Sequence, residues 1–263
     1  MPYRYETHMH TSQSSACGRS TGKEHVRFYK EMGYQGVIIT DHFFGGNAAA
    51  PRTGPWKERI EAFCAGYEDA LIEGQKIGLD VFFGWEEHFI GDEYLIYGLD
   101  KQWLIGHPEM ERWTRRQQLD EVHRCGGCVV QAHPFRDRAY IPRILLGMRF
   151  ADAAEVANAG NVPYNDAYAE AYVKRYGIRA VAGSDNHFSD PELWKTKPLM
   201  GVETDEKLRS IHDYVKLIRH GGALRPIVPP ERFEQGRLDA PEKETFWLDE
   251  HENTVPTGID WLG

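Results

Sequence analysis

The residues best suited to chemistry are histidines and carboxylates gathered where apolar runs end. His8-Met9-His10 closes the short alternating run Tyr3-Arg4-Tyr5-Glu6-Thr7. In extended chain, residues two apart share a face, so both imidazoles can aim at one point. Taken alone, such a pair could equally be a solvated strand end. The pattern repeats, however. Asp41-His42 ends the run from Gly36 to Thr40, Ala132-His133-Pro134 ends the run from Gly127 to Gln131, and Asp185-Asn186-His187 follows the run from Arg179 to Ser184. In parallel α/β folds the reactive groups collect at the carboxyl ends of strands. Neutral imidazoles and carboxylates converging there are ligands for first-row divalent metals, so the pattern points to a polynuclear metal site.

The elements that must carry these residues follow from periodicity and capping. Thr21-Gly22-Lys23-Glu24 has the form of a capping box and opens a helix through Met32. A loop from Gly45 to Pro55, long enough for a lid, precedes a helix expected from Trp56 to Ile77. Asp80 to Gly84 reads as a buried strand followed by Glu86, Glu87 and His88; strand register decides which of these faces the site. Tyr94 to Gly98 is a further strand. His107-Pro108-Glu109 begins a helix running to about Cys125, with His107 as a cap or surface residue. Ala153 to Asn158 is a strand with Glu155 and Asn158 as supports behind the ligands. Tyr164 to Tyr176 and Thr204 to His220 read as helices, and Ala223 to Ile227 as a short strand. This alternation argues for a parallel barrel. We expect a barrel domain over residues 1–225 and an extension over 226–263. The aromatics of that extension, Phe246, Trp247 and Trp261, suggest that it packs on the barrel or on a second copy of the chain.

Composition narrows the class. The chain has 263 residues, enough for one large α/β domain, and its 41% hydrophobic and 27% charged residues are ordinary for a water-soluble protein. No apolar run approaches the roughly 18 residues of a membrane span, and the N-terminus lacks a signal core, so a cytoplasmic protein without membrane contact is expected. A net charge of −9 without a Lys/Arg-rich run argues against nucleic acid as the main partner. Part of that charge can face bound cations. Four cysteines give no disulfide framework, and Cys125-Gly126-Gly127-Cys128 is better explained as a helix cap leading into a strand than as a redox or zinc pair.

His8-Met9-His10-Thr11, Ile39-Thr40-Asp41-His42, Gly84-Trp85-Glu86, Ala132-His133-Pro134 and Gly183-Ser184-Asp185-Asn186-His187 together resemble the motifs of the PHP (polymerase and histidinol phosphatase) family. The resemblance implies a distorted (β/α)7 barrel. It implies one metal on His8, His10, Glu86 and Asp185, with Glu86 bridging to a second held by His133 and Glu93, and a third on His42 and His187. It also selects Glu86 from its acidic neighbours. Many relatives carry His where Glu93 stands here, so Glu93 is a carboxylate ligand or a solvated hairpin acid. Relatives supply a His or Asp from the loop after the first strand, whereas this chain has Ser14-Ser15-Ala16-Cys17-Gly18. Cys17 is then a thiolate ligand, or the third site is weak and only two metals bind tightly. Asp41, beside a ligand, would orient one from behind.

Two or three clustered divalent ions (zinc, manganese or iron) would lower the pKa of a bridging water and clamp phosphoryl oxygens. The leading expectation is therefore hydrolysis of a small phosphomonoester, histidinol-phosphatase-like or nucleotide-phosphatase-like. Glu86, Asp185 and His187 would act in the chemistry, with Asp185 or His187 available for proton transfer. Arg19, Arg136 and Arg138 would neutralise the phosphate. A metal-dependent amidohydrolase or a phosphodiesterase on the same core is the alternative.

Overall fold

The computed structural model describes residues 2–139, 141–192, 194, 198–239 and 244–263. In chain order the elements are β1 (Tyr3–Glu6), α1 (Gly22–Glu31), β2 (Gly36–Ile39), α2 (Trp56–Phe63), α3 (Ala65–Ile77), β3 (Asp80–Phe89), β4 (Asp92–Tyr97), α4 (Lys101–Gly106), a 3-10 turn (Pro108–Arg112) and α5 (Arg115–Arg124). There follow β5 (Cys128–Gln131), β6 (Ile144–Leu146), β7 (Ala153–Asn158), α6 (Pro163–Tyr176), β8 (Arg179–Gly183), β9 (Gly201–Thr204), α7 (Ile211–His220), β10 (Leu224–Ile227), α8 (Pro230–Asp239), β11 (Thr245–Leu248) and β12 (Thr254–Pro256). None of the described helices is long and apolar enough to cross a membrane.

Nine strands form one sheet in the order β10-β9-β1-β2-β3-β4-β5-β7-β8. It curls until β8, at one end, returns against β9 and β10 at the other, giving the nearly closed barrel that the motifs imply. Arg179 on β8 helps to close it, donating from Nη2 to the Gly222 carbonyl at 2.7 Å. The distortion has a definite form. β1, β2 and β3 run parallel, as do β5, β7 and β8, but β4 is antiparallel to both of its neighbours and β9 is antiparallel to β1. The purely parallel sheet expected from alternating elements is thus interrupted by a β3–β4 hairpin, turned at Gly91 with φ +95°.

Several helices differ from their sequence reading. The helix expected from Trp56 to Ile77 breaks at Cys64 into α2 and α3. There α3 starts against the loop after β1: a Cβ on Gly66 would lie 1.9 Å from the Thr11 hydroxyl, so the second helix can take its own axis close to that loop. The helix expected from His107 to Cys125 is the 3-10 turn and then α5, separated at Trp113-Thr114, where Thr114 forms a second capping box. The helix expected from Thr204 holds only over α7; Gly201–Thr204 is instead β9, paired with β1 and β10. Both ends of the Cys125–Cys128 stretch behave as a cap and a buried strand start, and both thiols are free. The C-terminal segment lies on the body. β11 pairs in parallel with β6, and Trp261, buried against Phe135 and Tyr172, donates to Thr245.

Candidate metal centre

The barrel's strand ladder continues past the formal strand ends, and this continuation positions the donors. His10 N–H donates to the Asn186 carbonyl at 2.8 Å, Asn186 N–H to the His8 carbonyl at 3.2 Å, and Glu86 N–H to the Asp41 carbonyl at 3.0 Å. Strand-like alternation therefore persists through His8-Met9-His10. Met9 turns into the core, fully buried, while both imidazoles turn to the barrel mouth, their Nε2 atoms 3.1 Å apart. Approach is tight enough to need a glycine: a Cβ on Gly183 would lie 2.4 Å from the His8 Cβ and 2.5 Å from a Glu155 oxygen.

Around this pair stand the other donors. Glu86 Oε1 is 3.2 Å from the Nε2 atoms of both His8 and His133, and Asp185 Oδ1 is 3.0 Å from His10 Nε2. Glu93 Oε2 is 3.4 Å from His133 Nε2. Glu93 reaches the mouth because β4 is antiparallel, so its first residues lie where its neighbours end. The rings of His10 and His42 stack at 4.1 Å, and His187 sits 4.5 Å from His10. Among the described residues four overlapping trios result: His8, Glu86 and His133; His8, His10 and Asp185; His42, Glu86 and Glu93; and His10, His42 and His187.

Several observations fit this donor set to divalent cations. Glu86 Oε2 and His42 Nδ1 are buried 2.6 Å apart, yet neither has a hydrogen-bond partner. Two acceptor lone pairs so placed suit a shared cation. The ring tautomers agree. His8 Nδ1 donates to Glu155 at 2.9 Å and His187 Nδ1 donates to the Asp185 carbonyl at 2.8 Å, which leaves each Nε2 a lone pair facing the cluster. His133 and Asp185 both hold left-handed backbone, φ +28° and +52°, conformations that persist when the surroundings fix them and that cluster at functional sites.

The second row is equally built. Glu155 also accepts from the His133 N–H, and Asn158 donates to it at 2.8 Å. Asp41 accepts from Thr11 N–H, the Thr11 hydroxyl and the Ser15 hydroxyl; the Ser15 oxygen in turn lies 3.3 Å from His10 Nδ1. Asp41 thus reaches His10 through Ser15. Burial disfavours charge on Glu86, but the His8 and His42 rings outweigh it and hold its carboxyl well below the usual range. Burial likewise opposes ionisation of the Cys17 thiol, but hydrogen bonds with His187 and His42 bring its pKa down to about 6.

Above the donors opens a cavity of about 880 Å³, lined among others by Cys17, Arg19, His88, Glu93, Arg138 and His187. The three arginines expected to meet phosphate are placed unequally. Arg19 is exposed on the wall, and Arg138 is exposed and donates to the Gly160 carbonyl at 2.9 Å. Arg136 is buried and already engaged: Nη2 lies 2.7 Å from Asp185 Oδ2 and 2.8 Å from Asn158 Oδ1, and Nε donates to Asn161 at 2.9 Å. Arg136 also lines the cavity, but its guanidinium is already engaged by Asp185, Asn158 and Asn161. Register also resolves the acidic run. Glu86 faces the centre, Glu87 turns away to Gln118, and His88 returns to the cavity wall, 3.0 Å from Glu93.

Two supporting residues escaped sequence reasoning. Glu6 is fully buried and accepts from the N–H groups of Thr7, His8 and Ser184 and from the Tyr29 hydroxyl. It joins the segments that carry His8 and Asp185. His25, on α1, is fully buried behind the site, bonded to the His10 carbonyl and the Ser189 hydroxyl. Neither has a motif; only the glutamate's place in the alternating run before His8 could have marked it.

Solved structures share the fold, among them the following three. A two-domain protein from Bacteroides vulgatus, described as containing a predicted PHP-like metal-dependent phosphoesterase, superimposes with TM-score 0.60 at 13% identity, over 90% of this chain and 69% of that one. PsfC from Pseudomonas syringae gives 0.56 at 15% identity, over 90% and 97%. A protein from Bifidobacterium adolescentis, provisionally named a metal-dependent phosphoesterase, gives 0.53 at 17% identity, over 85% and 98%. No protein-family model matches the sequence, and no curated protein matches it. At these identities the likeness is one of fold, and it is the fold that the motif resemblance implies.

Proposed function

We propose that the protein is a metal-dependent phosphoesterase acting on a small phosphomonoester. One observation carries the reading: the buried Glu86 Oε2 and His42 Nδ1, 2.6 Å apart without a hydrogen bond, sit among six further donors directly beneath a cavity whose wall holds two exposed guanidinium groups. His8, His10, His133, Glu86, Glu93 and Asp185 would hold the ions on the carboxylate-bearing side. Bound divalent ions would supply Lewis acidity, activating water and offsetting phosphate charge.

The chain's own residues do the rest. Glu155 fixes the His8 tautomer and, through the His133 N–H, the loop carrying a second ligand. Arg136 holds one Asp185 oxygen so that the other faces His10. Arg19 and Arg138 stand where a phosphate above the cluster would meet them, and such charge-assisted contacts favour a dianionic monoester over a neutral amide. The cavity is large enough for a small organic phosphate. Gly18-Arg19-Ser20-Thr21-Gly22 has the Gly-x-Ser-x-Gly spacing, but Ser20 lies in the loop before α1, where its hydroxyl accepts from the Ser189 N–H, and not on a strand-to-helix elbow.

The test is phosphate release from a panel of small monoesters by protein loaded separately with manganese, zinc or iron. Activity should vanish on chelation and return with metal. Cleavage of a diester or an amide, with no phosphate from any monoester, would replace this reading with the alternative on the same core.

A further inference from the structure

We propose that Phe188 and Trp194 form the specificity wall of the cavity, and that the phosphomonoester it takes carries a flat aromatic or heteroaromatic ring on its alcohol. The inference rests on the phosphoesterase reading above and names the class of its substrate. Among the described residues Phe188 and Trp194 are the only large apolar side chains lining the cavity; the rest of its lining is charged, polar or small. Both are half-buried, their ring centroids 5.7 Å apart with 31° between the planes.

The wall stands beside the centre. Phe188 follows His187 in the chain, and Arg19 N–H donates to the His187 carbonyl at 2.8 Å, so an exposed guanidinium and the first aromatic ring flank one member of the donor cluster. A phosphate drawn to the cluster and to Arg19 would therefore hold its organic group near the rings. The wall is also fixed in advance. Phe188 N–H donates to Asn186 Oδ1 at 2.8 Å, Ser189 N–H to Ser20 Oγ at 2.8 Å, and Trp194 Nε1 to the Phe188 carbonyl at 3.1 Å. Trp194 packs at the same time against two clusters of the core. Its one side-chain donor is thus engaged, and the pair offers the cavity π surface with no polar group to read a substrate's hydroxyls. Aromatic rings favour another ring, offset or edge-on, over an aliphatic group of similar size, because the π quadrupole adds to the buried area. Rings already held in place lose little freedom on making that contact.

Matched substrates test this with the metal-loaded full chain. Benzyl phosphate and cyclohexylmethyl phosphate are close in size and both release a primary alcohol, so they differ chiefly in the flatness and π character of the ring. Wild type should favour the benzyl ester in kcat/KM by roughly 2- to 12-fold. Adenosine monophosphate against ribose phosphate locates the ring: a preference in the first pair alone places it next to the phosphate, and one in the second pair alone places it beyond a sugar. Trp194→Leu, which keeps apolar bulk without the ring, should bring the preference close to one, and Trp194→Phe should restore most of it. Should Trp194→Leu fail to fold, Phe188→Leu carries the same expectation. Calorimetric titration with the non-hydrolysable benzylphosphonate and cyclohexylmethylphosphonate reads the same difference without turnover. Phosphate release with no preference within either pair, or a preference that survives in both leucine variants, would overturn the assignment while leaving the phosphoesterase reading standing. No phosphate from any monoester would overturn both.

Discussion

Replacing Arg136 with alanine should destabilise the metal-free protein strongly and the metal-loaded protein far less. The Arg136 guanidinium is buried, pairs with Asp185 Oδ2 at 2.7 Å, and bonds Asn158 and Asn161. Its removal strands a carboxylate close to Glu86. Breaking a buried pair from one side typically costs about 3–5 kcal/mol. We expect the low end, about 3 kcal/mol, because the His8 and His10 rings, 3.5 and 3.0 Å from Asp185 Oδ1, can share the charge. For a chain of this size that corresponds to a Tm lowered by roughly 6–12 °C. Divalent ions at Asp185 replace the lost cation, so loading should recover most of the difference. The pH dependence follows from the carboxyl. Burial alone would raise its pKa, but the charge of Arg136, then of His8, holds it well below the usual range. A depressed folded pKa means the pair's stabilisation is present above the unfolded value of about 3.9 and is lost as pH falls through the folded one. The gap between wild type and variant should therefore be widest near neutrality and shrink below about pH 4. Urea denaturation in chelator and in manganese, from neutral pH downwards, reads all of this. A gap under about 1 kcal/mol in chelator, or one that metal leaves unchanged, would refute the counter-ion role.

Two further outcomes follow from the supporting residues. Glu155→Gln keeps the shape but offers one acceptor where His8 Nδ1 and the His133 N–H both donate, so divalent-metal affinity, measured by competition with a chromophoric chelator, should fall by roughly 10–100-fold; unchanged affinity would mean that the His8 tautomer is set elsewhere. Arg138→Ala, at an exposed cavity-wall position, should raise KM for a phosphomonoester roughly tenfold or more with metal content unchanged; loss of metal instead would make Arg138 a support of the centre.

The histidine clusters and Asp185 were legible because they end apolar runs, Glu86 and Glu93 through the motif resemblance alone, and the barrel because those runs alternate with capped helices. What stayed hidden depended on contacts distant in sequence. Nothing in Gly201–Thr204 marks a barrel strand until Tyr3–Tyr5 lie beside it. Nor does Thr245–Leu248 announce its partner, since Ile144–Leu146 is about a hundred residues away. Glu6's place in the alternating run before His8 hinted at burial, but its partners, three backbone N–H groups and a tyrosine hydroxyl, come from distant segments as well as near ones. The partner of Arg136 was hidden for a related reason. An arginine beside a metal motif suits a phosphate on chemical grounds, and only the buried Asp185 beside it shows that its charge is already matched.

The β3–β4 hairpin is where topology sets chemistry. Glu86, Glu87 and His88 are consecutive, so the pleat must send the middle one away from its neighbours. Pairing of Glu86 with Leu95 and of His88 with Glu93 fixes that choice, directing Glu87 to Gln118, where burial pushes its carboxyl up to about 7. A slip of one residue would bring Glu87 to the mouth and take both Glu86 and His88 from it. The same antiparallel return delivers Glu93 opposite His88, a position no parallel strand could supply from its first residues. Carboxylates therefore gather on the hairpin side of the mouth, through Glu86 and Glu93, while the loop after β1 faces them with imidazoles and the Cys17 sulfur.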